Sequence, residues 1–189
     1  MSIALQNPDG TTLESVAVAL GWDPSEFGLV EQPDGTVADA FRFDLNLAAL
    51  LFSGDRLVDV VFHDQLISQD GSVRHTGDNQ TGEGAGDNEV IVFDLVRMAP
   101  EVTMVIVVVT SYTGQSFANI DNAYCRFVDA GSTVEITRYM LTGGPHTALV
   151  VCRLFRTPAS WGFDAIGAGI PALHVAEAVP HLTPYLVAS

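Results

Sequence analysis

The sequence predicts an all-β protein: an antiparallel β-sandwich with a short C-terminal helical segment, formed as a single domain over residues 1–189. Three observations carry this reading. Apolar side chains alternate with polar ones at Phe41, Phe43, Leu45 and Leu47, against Arg42, Asp44 and Asn46, the period of a strand with one buried face. The run Val102 to Thr110 is almost wholly β-branched, which suits a strand covered on both faces. Nine or so short strand-like runs are spaced along the chain and separated by turn residues, the spacing of a sandwich.

Taken in order, the turn Asn7 to Gly10 precedes a first strand at Ser15 to Leu20, which delivers Asp23 into a loop after Gly21 and Trp22. Trp22 reads as a core side chain. Ala40 to Leu47 follows, placing Asp44 and Asn46 on one face about two residues of rise, or ~7 Å, apart. Leu57 to Phe62 and Val90 to Leu95 are strands that hold a long polar stretch between them. Cys125 to Val128, Val134 to Met140, Ala148 to Phe155 and Trp161 to Ile166 complete the set, with turns at Asp129 to Gly131 and Gly143 to Pro145. From Pro171 to Leu186 the apolar positions Leu173, Val175, Ala176 and Val179 suit a short helix that caps the sheet, ended by Pro180.

The net charge is −15, from 23 acidic and 8 basic residues, and every basic residue is arginine. Such a surface repels nucleic-acid phosphates and anionic membranes, so cations or cationic partners are expected instead. The longest wholly apolar run, Met104 to Val109, is far short of the ~20 residues of a spanning helix, and no signal peptide is legible at the N-terminus. The expectation is a soluble, cytoplasmic protein with no direct membrane insertion. Cys125 and Cys152 sit in apolar strands and read as reduced, buried thiols.

The polar stretch Ser68 to Glu89 carries the chemistry. It holds Asp70, Asp78, Glu83, Asp87 and Glu89 among five glycines, with Arg74 as its only basic side chain. Crowded carboxylates with freely turning backbone carbonyls are what a hard cation such as Ca²⁺ needs for its six to eight oxygen ligands. Asp78 and Glu89 stand eleven positions apart, like the first and last ligands of an EF-hand loop, but Glu83 falls where that loop requires glycine. Gly82, Gly84 and Gly86 do not make a phosphate loop either, because no Gly-Lys-Ser/Thr follows. A solvated acidic turn is the alternative reading of the residues alone. Asp70, before Gly71, reads as a turn former, and His75 as a turn residue or a partner of a ligand rather than a ligand. The other histidines lack zinc-site spacing, and no nucleophile-and-base signature appears, so an enzyme is not expected.

HTGDNQTGEGAGDNE (His75 to Glu89) resembles the TerD family of tellurite-resistance and stress-response proteins. So do Leu20 to Pro24, Phe41 to Asn46, Ser68 to Val73, Ser116 to Ala123, Glu135 to Leu141 and Trp161 to Gly169. The resemblance implies a sandwich that binds one or two Ca²⁺ ions at one end. Carried over position by position, it assigns Asp23, Asp44, Asn46, Asp78, Asn79, Thr81, Gly82, Gly84, Asp87 and Glu89 to the metal. Two positions depart from the family pattern: Asn46 stands where an aspartate is usual, and Asn88 where the family has an acidic residue. The expected function is that of a non-enzymatic, Ca²⁺-binding stress-response or scaffold module, with other Ter-type proteins or a membrane protein related to TerC as partners. A second expectation is a Ca²⁺-dependent module whose open coordination position takes a small anion, a sugar or a lipid head group.

Overall fold

The computed structural model describes residues 2–24, 30–31, 37–38, 43–120 and 122–187. Two antiparallel sheets face each other. The first runs β1 (Ser2–Ala4), β13 (Trp161–Ile170), β12 (Ala148–Arg156), β9 (Met104–Ser111), β5 (Leu45–Ser53), β6 (Arg56–Val61) in spatial order. The second runs β11 (Glu135–Met140), β10 (Tyr124–Asp129), β2 (Ser15–Gly21), β8 (Glu89–Asp94), β7 (Val73–His75). A small ribbon pairs β3 (Val30–Glu31) with β4 (Val37–Ala38).

The expected strand at Val102 to Thr110 is β9, and all its residues are buried for the reason its composition suggests. Val105, Val107 and Val109 enter the core between the sheets, while Met104, Ile106 and Val108 join a second cluster on the outer face of the first sheet. β5 divides in the same way, with Leu45, Leu47, Ala49 and Leu51 inward and Ala48, Leu50 and Phe52 outward. Each fully buried valine or leucine contributes roughly 1.5–3 kcal/mol, so these two central strands dominate the cohesion of the sandwich. Phe127 of β10 and Phe163 of β13 stack with ring centroids 4.2 Å apart and join the sheets away from the polar loop.

The outer cluster is closed by the C-terminal segment. Helix α1 (Val175–Ala178) packs Val175 and Ala178 on it, and Leu182 follows from the 3₁₀ turns beyond. The α-helix stops where Pro180 removes a donor, as the sequence indicates. The Arg153 guanidinium reaches from β12 to the carbonyls of Tyr185 and Val187, at 2.8 and 2.6 Å, and pairs with Asp164 on β13. Cys125 and Cys152 are free and buried; burial pushes both thiols far up, which keeps them protonated and inert.

Several strand boundaries differ from expectation; the strand expected over Trp161 to Ile166, for one, continues to Ile170. The strand expected over Ala40 to Leu47 begins only at Leu45 and continues to Ser53, because its later apolar run is covered on both faces. Ala40 to Arg42 lie outside the described residues. Within the polar stretch, Val73–His75 forms the edge strand β7, with Val73 and His75 inward and Arg74 in solvent.

Candidate metal site

Residues 76–88 leave the second sheet at His75 and rejoin it at Glu89, so the loop's two feet lie on neighbouring strands. Thr76 closes the base: its amide donates to the Val90 carbonyl at 2.8 Å, and its hydroxyl accepts from the Val90 amide at 3.2 Å. Above this base Asn79 organises the turn. Its Oδ1 accepts from the amides of Thr81 and Gly82, at 3.1 and 2.9 Å, and its Nδ2 donates to the Glu83 carbonyl at 3.1 Å. Gly82 has φ +73°, and a Cβ there would stand 2.6 Å from Trp22 Nε1, so only a glycine lets the indole approach the loop backbone this closely. That indole donates to the Phe43 carbonyl at 2.8 Å, while Asn88 Oδ1 accepts from the Trp22 amide at 2.9 Å.

Glu89 roots the loop in the core. Its side chain is wholly buried, and three donors satisfy it: the Leu47 amide at 2.8 Å, the Asn79 amide at 3.1 Å and His75 Nε2 at 3.2 Å. His75 Nδ1 accepts from the Gly77 amide at 3.1 Å, which puts the ring proton on Nε2 and aims it at the carboxylate. An unsatisfied buried carboxylate costs several kcal/mol, so these donors are what allow the charge to sit here. Because Leu47 belongs to one sheet and Glu89 to the other, the same carboxylate also ties the sheets together at this end.

Asp44 lies just ahead of β5, held by the backbone: its carbonyl accepts from the Tyr112 amide at 2.9 Å, and its amide donates to Thr113 Oγ1 at 3.2 Å. Burial, then the charges of Asp78 and Glu89, push the Asp44 carboxyl up to about 6, against the opposing hydrogen bond from Asn46 and the influence of His63. Asn46, only 5 % exposed, donates Nδ2 to Asp44 Oδ1 at 2.9 Å. Asp78 is exposed and accepts from Gln80 Nε2. The structure therefore gathers Asp44, Asn46, Asp78, Asn79 and Glu89 at one end of the sandwich, with Thr81, Gly82 and Gly84 on the loop above them.

Two expected ligands are engaged by other side chains. Asp87 accepts from Tyr124 Oη at 3.0 Å and from Arg126 Nε at 2.9 Å, forming an ion pair on the outer face of the second sheet. Asp23 accepts from Asn122 Nδ2 at 2.6 Å. Tyr124 and Arg126 fix the loop from outside, and neither is among the expected site residues. Arg126 stands on the solvated face of β10, in step with its alternation, and only its being a cation in an acidic chain marks it. Nothing local marks Tyr124, whose partner Asp87 lies 37 residues away.

The donor set suits a hard cation. Carboxylates of Asp44, Asp78 and Glu89, amide oxygens of Asn46 and Asn79, the Thr81 hydroxyl and loop carbonyls are all oxygen, and no arginine bonds to those three carboxylates among the described residues. Among the described residues no three His, Cys, Asp or Glu side chains stand together as a ready-made cluster. An ion here would take neutral oxygens for much of its shell, which suits Ca²⁺ better than a transition metal.

Comparison with known proteins agrees with this architecture. The TerD domain model matches residues 1–175. The chain is 38 % identical over 162 residues to the tellurium resistance protein TerZ of Serratia marcescens, covering 84 % of this chain and 82 % of that protein. It is 31 % identical over 166 residues to the stress response protein SCP2 of Bacillus subtilis (strain 168), with 83 % of each covered. The crystal structure of a homologue of telluride resistance protein (TerD) from Streptomyces coelicolor A3(2) superposes with a TM-score of 0.73 at 24 % identity, over 88 % of this chain and 95 % of that one, which shows the shared fold. With a family model spanning nearly its whole length and relatives above 30 % identity, this chain belongs to the TerD domain family.

Proposed function

We propose that the protein is a Ca²⁺-binding module of the stress-response and tellurium-resistance type, acting by binding rather than by catalysis. The observation that carries this reading is the all-oxygen donor set at one end of the sandwich, where burial first, and then the charges of Asp78 and Glu89, raise Asp44 to about 6. Like charges so placed destabilise the sandwich end unless a cation offsets them. Asp44, Asp78, Glu89 and the oxygens of Asn46, Asn79, Thr81, Gly82 and Gly84 would hold the ion, which would supply positive charge and a fixed loop conformation. His75 orients Glu89 for this role, and Arg126 steadies the loop through Asp87. The names of the relatives support the stress-response role, and the resemblance noted from the sequence adds a membrane partner related to TerC.

Calorimetric titration with Ca²⁺ and Mg²⁺ tests the ion. Mg²⁺ demands a near-ideal octahedron at about 2.0–2.1 Å, which scattered carboxylates and carbonyls on a Gly-rich loop do not supply, so Ca²⁺ is expected to bind more tightly. Equal affinity for the two ions would count against the proposal.

A further inference from the structure

Where the edge strand β6 meets the turn that precedes β7 and the segment leading into β9, the sandwich encloses a cavity of about 350 Å³, a volume at the small end of ligand-binding sites. The strand register places its parts. Leu51 on β5 faces the core between the sheets, and Ser53, two residues on, shares that face. Arg56 pairs with Ser53 and Asp59 with Leu51, so both β6 side chains stand on the cavity side. Leu51, Val58 and Val102 form an apolar floor continuous with that core. Hydrogen bonds hold the walls: Asp59 Oδ2 accepts from the Gln69 amide at 2.7 Å, Asp70 Oδ2 accepts from the Ala99 amide at 2.8 Å, and Arg156 Nε donates to the Val102 carbonyl at 2.7 Å. The cavity is thus a formed part of the fold, and it lies toward the opposite end of β5 from Asn46 and the candidate metal site.

Two charged side chains that line this cavity are unengaged. Asp59 and Asp70 direct their oxygens at the walls, but among the described residues neither the Arg56 guanidinium nor the Glu101 carboxylate makes a hydrogen bond or an ion pair, with each other or with any other group. A purely anionic ligand would be repelled by Glu101 and by the net charge of −15, and a purely cationic one by Arg56. A ligand that carries one charge of each sign satisfies both groups and meets no net repulsion. We propose that the cavity binds a free aliphatic α-amino acid, its carboxylate on the Arg56 guanidinium, its ammonium on Glu101 and its side chain on Leu51, Val58 and Val102. The guanidinium fork matches a carboxylate with two parallel N–H donors, and the ammonium supplies the donors that Glu101 lacks. The apolar floor selects against a polar side chain, which would lose its hydration there without a partner.

The test is calorimetric titration of the full chain with L-leucine, in chelator so that the Ca²⁺ reading is not involved, and at about 0.15 M salt, where diffuse surface attraction is screened. Saturable binding is expected. L-leucinamide, which keeps the ammonium and lacks the carboxylate, and N-acetyl-L-leucine, which keeps the carboxylate and lacks the ammonium, are each expected to bind the parent protein about tenfold more weakly. Arg56→Gln is expected to bring the affinity for leucine down to that for leucinamide, and Glu101→Gln to bring it down to that for N-acetyl-leucine. Asp129→Ala, in a turn away from the cavity, keeps the parent affinity. No saturable binding of leucine, equal binding of the three compounds by the parent protein, or undiminished leucine binding in either variant overturns the proposal; the comparison of compounds on the parent protein does not depend on how the variants fold.

Discussion

Asn46 is the residue at which a single charge would decide between the empty and loaded states of the proposed metal site. Its amide donates to Asp44 Oδ1 and so relieves part of the crowding that Asp78 and Glu89 impose. In Asn46→Asp that donor becomes a second carboxylate in a nearly buried position. With chelator, the variant is expected to melt several degrees lower, at about 2–4 °C per kcal/mol for roughly 1–3 kcal/mol lost. Its Ca²⁺ affinity is expected to rise about tenfold, or ~1.4 kcal/mol. Unchanged or weaker affinity in calorimetry would show that Asn46 does not touch the ion. Asp70 makes the opposite case, a carboxylate settled without any cation. Burial pushes it up, but donors from Ser68, Ser72 and the Ala99 amide outweigh burial and hold it down to about 2. A carboxyl depressed in the folded state stabilises it above the unfolded value of about 3.9, and that contribution disappears as pH falls toward 2. Asp70→Asn is therefore expected to melt below the parent protein at pH 7, with the difference closing between about pH 4 and pH 2; a pH-independent difference would contradict this. The turn role of Asp70 was legible from the Gly71 that follows it. The role of Glu89 as a hub was not, because the Leu47 amide that meets it is 42 residues away in sequence.

At the scale of elements, strands with one solvated face announced themselves by alternation, as in Glu89–Asp94 and Tyr124–Asp129, whose buried positions fall on every second residue. The strand Leu45–Ser53 was underestimated because both of its faces are covered, which erases alternation in its second half. Val73–His75 was read as loop: three residues with an arginine at the centre carry too little pattern, and pairing with Glu89–Asp94 makes them a strand. Pairing also sets the two feet of the polar loop side by side, which composition alone did not suggest. Arg126, from the strand beside Ser15–Gly21, holds Asp87 at the loop's outer foot, with side chains 30 % and 16 % exposed. Removing it in Arg126→Gln leaves Asp87 half-satisfied by Tyr124, at a cost of roughly 1 kcal/mol for a partly buried pair. Hydrogen exchange of the amides from Gly82 to Asn88 is expected to accelerate in this variant, while those of Met104–Ser111 stay as protected as before. Equal protection of the loop in both proteins would show that the Asp87 pair does not anchor it.

The whole molecule has two dissimilar ends and a covered flank. The C-terminal segment seals the outer face of the first sheet, a role readable from its short apolar helix, and the stacked phenylalanines cement the sheets away from the loop. At the other end, cohesion depends on how the carboxylates are neutralised. If Ca²⁺ is the agent, its binding energy is folding energy, because the unfolded chain does not assemble the oxygens. At about a hundred times its dissociation constant the ion adds roughly 2.7 kcal/mol. For a domain of this size that is a rise in Tm on the order of 5–10 °C, reversed by chelator. The direct test is thermal unfolding of the parent protein, Asp78→Ala and Asp129→Ala, each with Ca²⁺ and with chelator. The shift is expected in the parent and in Asp129→Ala and nearly absent in Asp78→Ala; an undiminished shift in Asp78→Ala would show that this loop does not hold the ion.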